Sequence, residues 1–168
     1  MTRGLDRILA LTVVCLVAAD WLTKFWVTSR MALGESIAVI PEWFYLVHRR
    51  NPGVAFSFFA DLPDGWRTPL LTGLSLLGVV IFGRMVMSNG DRVVRAAATV
   101  VLGGALGNLG DRLLNGYVTD FVLVRYFPFV FNVADAAISV GGVVLAARLL
   151  LMDESMEPTR AAPDSSTP

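Results

Sequence analysis

The sequence predicts an α-helical integral membrane protein: four transmembrane helices with a small extramembrane antiparallel β-sheet and a short interfacial helix. Three observations predict it. The chain of 168 residues is 55% hydrophobic with a formal net charge of zero, and its mean hydropathy is +0.62. Four apolar segments reach the roughly 20 residues that cross a hydrocarbon core of about 30 Å. Between them lie β-branched and aromatic runs bounded by turn residues, which is the pattern of strands.

The first span reads "ILALTVVCLVAADWLTKFWV", residues 8–27. Arg3 and Arg7 precede it, as in a secretory signal. It is nevertheless long, contains Asp20 and Lys24, and has no A-x-A-like cleavage site, so it reads as a retained helix. The extramembrane segment 29–67 holds "SIAVI" and "WFYLVHRRN", separated by Pro41 and Glu42, which predicts a hairpin or small sheet. In the same segment "VAFSFFA" reads as a short helix at the membrane interface, with Phe56, Phe58, Phe59 and Trp66 in the aromatic belt. The flanking Gly53 and Gly65 make it a candidate lid. Spans 69–87 and 93–114 are joined by the tight turn "SNGDR". The run "GYVTDFVLVRYFPFVF" reads as strand, able to pair with the earlier ones, and the last span is 133–152. Residues 1–152 form one membrane domain, and 153–168, polar and Pro-rich, form a disordered tail.

Four spans put both termini on one side. Lys and Arg counts alone do not choose that side; with Lys24 and Arg112 set aside as site residues they favour termini inside. No basic stripe suggests nucleic acid. Cys15 is the only cysteine, which excludes an internal disulfide and a multi-cysteine metal site. His48 is the only histidine, so HExxH zinc chemistry is absent, and a Ser-His or Cys-His nucleophile exists only if His48 serves it. No metal or other cofactor is expected.

A charge near a membrane helix centre costs about 2.5–3.5 kcal/mol on insertion scales, so each polar cluster asks for a reason. In "DWLTK", Asp20 and Lys24 are four apart, carboxylate first, the favourable order for an ion pair on one face. In "RRNPGVAFS", Asn51 sits in turn chemistry and offers an amide to a peptide backbone. In "GGALGNLGDRL", Gly103 and Gly107 permit close helix packing, and Asn108, Asp111 and Arg112 follow on one face. Arg112 presents a planar fork suited to a carbonyl or an anion. In "FNVAD", Asn132 and Asp135 match an N-cap with an acid in the first turn. Helix capping does not account for Asp120 of "VTDF", which lies in a β-like apolar run where Asp is disfavoured. Asp120 and Asp135 can converge at one membrane face. Two convergent carboxylates in a half-dry site share a proton, one acting as general base and the other as general acid.

Taken together these segments resemble bacterial lipoprotein signal peptidase, the signal peptidase II family. "DWLTK", "NPGVAFS", "GNLGDRL", "VTDFV" and "FNVADAAIS" occur in order and cover nearly the whole chain. Pro52 and the small Gly110 depart from the expected pattern. The resemblance implies an aspartic endopeptidase of the bacterial cytoplasmic membrane with Asp120 and Asp135 as its catalytic pair. It implies that Asn51, Gly53, Asn108, Arg112 and Asn132 contact substrate, with Asp20, Lys24 and Asp111 in support. The implied reaction removes signal peptides from diacylglyceryl-modified prolipoproteins on the amino side of the lipidated cysteine. Termini would be cytoplasmic and the active site at the outer face. Expected partners are those substrates, membrane lipids and globomycin-type peptide inhibitors. Three other readings compete: a proton-coupled transporter, a structural four-helix scaffold, and a Ser-Lys protease using Ser57 or Ser139 with Lys24.

Overall fold

The computed structural model describes residues 2–53, 64–88 and 90–154. The expected interfacial helix and lid, "VAFSFFADLP", lie outside the described residues, as does the expected disordered tail 153–168 apart from its first two residues, Asp153 and Glu154, which instead continue the last helix. The elements run α1 (Thr2–Arg30), β1 (Ser36–Ile40), β2 (Phe44–Asn51), α2 (Asp64–Met87), α3 (Arg92–Asn115), β3 (Val118–Val124), β4 (Val130–Phe131) and α4 (Val133–Glu154). All four helices are long and apolar enough to cross a membrane. Each extends past its apolar stretch, because residues such as Arg3, Arg7 and Arg30 continue a helix without being apolar.

Helix α3 is the centre of the bundle. The apolar window of its span is 61% buried, against 17%, 0% and 22% for the other three. Its small residues allow this. A Cβ on Gly103 would lie 2.9 Å from the Leu16 side chain of α1, and one on Gly104 would strike the Ala134 carbonyl of α4. Gly110, the departure noted above, leaves room for the Trp21 ring, whose atoms would be 2.5 Å from an added Cβ. Gly104→Ala should therefore push α3 and α4 apart and cost about 1–3 kcal/mol as overpacking. Gly142→Ala, where nothing lies within 4 Å, is the control and should leave thermal unfolding in detergent unchanged or slightly raised.

Arg148, the one charge in the apolar run of α4, is answered by Asp91. Its Nη2 and Nε donate to the two Asp91 oxygens at 2.8 and 3.3 Å. Asp91 also caps α3, accepting from the N–H groups of Val93 and Val94 at 2.9 and 3.0 Å. The Arg148 hydrogen bond, then those backbone donors, hold the Asp91 carboxyl at about 2. A depressed acid contributes stability above its unfolded pKa and loses it as pH falls through the folded one, so this clasp opens only in strong acid.

The sheet is antiparallel in the order β1-β2-β3-β4. Strand β2 pairs β3 with Arg49 opposite Asp120 and Asn51 opposite Val118, and a bulge interrupts the register between Leu46 and Arg49. Val27 and Met31 of the α1 end bury against Phe121 of β3, with Leu46, Val122 and Val133 around them. That small core fixes the sheet on the end of the bundle where α3 finishes and α4 begins. His48 is buried there, its Nδ1 2.9 Å from the Met31 carbonyl oxygen, which is a structural post rather than a catalytic one.

Candidate active site

Asp120 and Asp135 arrive from different kinds of element. Asp120 is the third residue of β3, and Asp135 is in the first turn of α4. Asn132 joins them. Its Nδ2 donates to Asp120 Oδ1 at 2.8 Å. Its Oδ1 accepts the Asp135 N–H at 2.9 Å, and its own N–H donates to Asp135 Oδ2 at 3.3 Å. That is a reciprocal capping box. The cap predicted from the sequence is therefore present, and it also serves to set a carboxylate beside Asp120.

Asn51 approaches from β2, with its Nδ2 donating to Asp120 Oδ2 at 2.9 Å and its Oδ1 accepting the Gly53 N–H at 2.8 Å. Gly53 has φ +103°, a conformation that favours glycine, and an added Cβ there would force the Leu71 side chain to move. Burial of Asp120, then the neighbouring Asp135 carboxylate, push its pKa up to about 7, against the two asparagine hydrogen bonds that favour ionisation. At neutral pH Asp120 is thus balanced between holding and releasing a proton.

Behind the pair lies a buried hub. Lys24 Nζ is 2.6 Å from Asp20 Oδ2, 3.0 Å from Asp111 Oδ2 and 3.0 Å from Asn108 Oδ1. The ion pair expected from "DWLTK" exists, with Asp111 and Asn108 as further partners. Each arm then reaches the carboxylates. Asn108 Nδ2 donates to Asp135 Oδ1 at 2.8 Å. Asp111 Oδ2 accepts the N–H of Thr119, next to Asp120, at 3.0 Å. Asp20 Oδ1 accepts the N–H of Ala134, next to Asp135, at 2.9 Å. Two of these arms end on backbone groups and so position the strand and the helix themselves.

Open space lies in front. A cleft of about 400 Å³ is lined by Asn51, Gly53, Arg112, Phe129, Val130 and Asp135 among others. An adjoining hollow of about 260 Å³ is lined by Asp120 and shares Asn51, Phe129 and Val130. The two carboxylates therefore face neighbouring spaces across a common wall. Arg112 donates through Nη1 to Ser75 Oγ of α2 at 3.1 Å and lines the cleft together with Asp135; no Arg112–Asp111 ion pair is found among the described residues. Asn108 and Asn132 are 4% and 0% exposed. They stand behind the aspartates rather than on the open surface, and Asn51 spends its amide on Asp120. Ser75 and the phenylalanines of the cleft wall escaped the sequence reading, because a hydroxyl in an apolar helix and aromatics in and before a short strand carry no positional signal. Ser139 lines the cleft, but Lys24 is engaged by Asp20, Asp111 and Asn108. Ser57 lies outside the described residues. Among the described residues no group of three or more His, Cys, Asp or Glu is placed to hold a metal.

Residues 12–151 match the family model described as Signal peptidase (SPase) II. A lipoprotein signal peptidase of Pseudomonas syringae pv. tomato is 42% identical over 143 residues, spanning 79% of this chain and 80% of that protein. The lipoprotein signal peptidase of Bacillus subtilis strain 168 is 36% identical over 139 residues, 81% of this chain and 88% of its own. Among solved structures, a bacterial membrane enzyme determined by the in meso method superposes with a TM-score of 0.79 at 23% identity, over 92% of this chain and 94% of that one, and shares its fold. A second such structure has a TM-score of 0.75 at 25% identity, over 85% and 92%.

Proposed function

This chain belongs to the signal peptidase II family, and from that premise we propose that it is an aspartic endopeptidase that removes signal peptides from diacylglyceryl-modified prolipoproteins. The observation that carries the reading is Asn132, hydrogen-bonded at once to Asp120 and to Asp135. A capped helix start needs one of those contacts; only a two-carboxylate site needs both.

In the proposed reaction the substrate lies across the wall between the two hollows. Asp135, at the positive end of the α4 dipole, takes a proton from water. The water oxygen attacks the scissile carbonyl, and Arg112 steadies the oxygen that becomes negative. Asp120 gives its proton to the departing nitrogen of the lipidated cysteine, the C–N bond breaks, and the signal peptide leaves as a carboxylic acid. Phe127, Phe129 and Ile138 line the cleft as an apolar wall suited to a signal peptide. We place the enzyme in the bacterial cytoplasmic membrane, termini cytoplasmic and aspartates at the outer face. Its partners are prolipoproteins and lipids, and globomycin-type peptides would compete for the cleft.

The experiment is incubation of the purified protein in detergent with a prolipoprotein bearing or lacking diacylglycerol. Cleavage of the lipidated form on the amino side of its cysteine is expected, and cleavage of both forms at equal rates would refute the substrate assignment. The pH profile tests the roles. An acid raised to about 7 is protonated below that pH, so turnover should decline as pH rises beyond it. By the same linkage, the part of stability that depends on Asp120 is fully present below its unfolded pKa and is lost as pH rises through about 7. Asp120→Asn should flatten that limb of the unfolding curve.

A further inference from the structure

A further concavity lies at the opposite end of α3 from the aspartates. It is an apolar groove of about 520 Å³ formed by α1, α2 and α3. Asp6, Met87 and Arg95 stand at its mouth, and Ala10, Val13 and Leu102 line its length. Val13 is seven residues beyond Asp6, and Leu102 seven beyond Arg95. The groove therefore runs about 10 Å into the apolar depth, at about 1.5 Å per helical residue.

Arg95 is buried at the mouth. Its Nε donates to the Val86 carbonyl oxygen at 2.8 Å and its Nη2 to Asp6 Oδ1 at 2.6 Å, which ties the three helices together and neutralises Asp6. Three further arginines lie one helical turn from residues of the mouth. Arg3 is three residues before Asp6, Arg84 three before Met87, and Arg92 three before Arg95. Residues three apart are neighbours on a helix surface, so each arginine lies beside one residue of the mouth, within reach of a long side chain. All three are exposed, and no ion pair found among the described residues engages them.

We propose that this groove binds one anionic glycerophospholipid, an acyl chain lying along α1 and α3 and the phosphate among Arg3, Arg84 and Arg92. A groove opening on hydrocarbon is filled by hydrocarbon, since apolar walls neither hold water nor stay empty beside fluid chains. The head group follows from charge. Basic pockets between helices at a membrane surface select acidic lipids, and guanidinium forks match phosphate oxygens. The site is separate from the cleft before Asp120 and Asp135, and it does not depend on the proposed reaction.

The test is native mass spectrometry of the purified protein in mild detergent, with phosphatidylglycerol or phosphatidylcholine of identical chains, alongside thermal unfolding. One phosphatidylglycerol should be retained and should raise Tm, with phosphatidylcholine held at least about tenfold more weakly. Replacing Arg3, Arg84 and Arg92 by Gln should lower retention by about fivefold for each arginine removed. Ala10→Phe should block the groove and lower retention with the arginines intact. Equal retention of the two lipids, or undiminished phosphatidylglycerol binding by the triple Gln variant, would overturn the proposal.

Discussion

Asp135→Asn and Asp120→Asn each lower cleavage of lipidated prolipoprotein by about 10²–10⁴-fold, the usual worth of one acid or base. Neither change is silent in the fold. Both Asp120 oxygens accept amide N–H groups, from Asn51 and Asn132, and Asp135 accepts from Asn108 and from the Asn132 backbone. An Asn at either position turns its NH₂ toward one of those donors and loses that bond, at about 1–3 kcal/mol. Thermal unfolding in detergent is therefore measured alongside activity, and rates are compared where each variant is folded. The double variant should be scarcely worse than either single one, because the pair acts as a unit. Near-normal cleavage by either folded variant would sink the two-carboxylate mechanism and leave Asp135 as an ordinary capping residue.

Where a physical demand acts along the chain, the sequence was readable. A bilayer requires about twenty apolar residues at a stretch, so the four helices were found, though their polar first and last turns were not. Strands β1, β2 and β3 were visible because "SIAVI", "FYLVHRR" and "VTDFVLV" are β-branched or aromatic runs cut by turns. Asn132 and Asp135 were legible through their three-residue spacing. Contacts made across the chain were not. The Asp20–Lys24 spacing announced one ion pair, but nothing local shows that Lys24 also meets Asn108, 84 residues away. Asp6 and Arg95 are 89 residues apart, and no pattern in either segment links them. Asn51 lines the cleft, as its turn amide suggests, but its bond to Asp120, 69 residues away, has no local signal.

Lys24→Met destabilises the protein more than any other single change in the hub, by about 3–5 kcal/mol. Lys24 is 4% exposed, and Asp20 is fully buried. One ammonium compensates two carboxylates, Asp20 at 2.6 Å and Asp111 at 3.0 Å. Removing it leaves both buried beside each other without a cation. The cost falls on the unpaired acids more than on the lost attraction, so it should be largely relieved when Asp20 and Asp111 are made Asn in the same chain. The reaction should feel the change indirectly. Asn108 loses the Lys24 contact that orients it toward Asp135, and the Thr119 and Ala134 backbones lose well-placed acceptors. Turnover should fall without vanishing, and its decline at high pH should persist because Asp120 is still present, but begin at a higher pH because the Lys24 charge that lowers the Asp120 pKa is gone. Denaturation in detergent and single-turnover cleavage of lipidated prolipoprotein measure the two effects separately. A Lys24→Met variant that stays folded yet makes no product, together with an inactive Ser57→Ala or Ser139→Ala, would transfer the chemistry from the aspartates to a Ser-Lys pair.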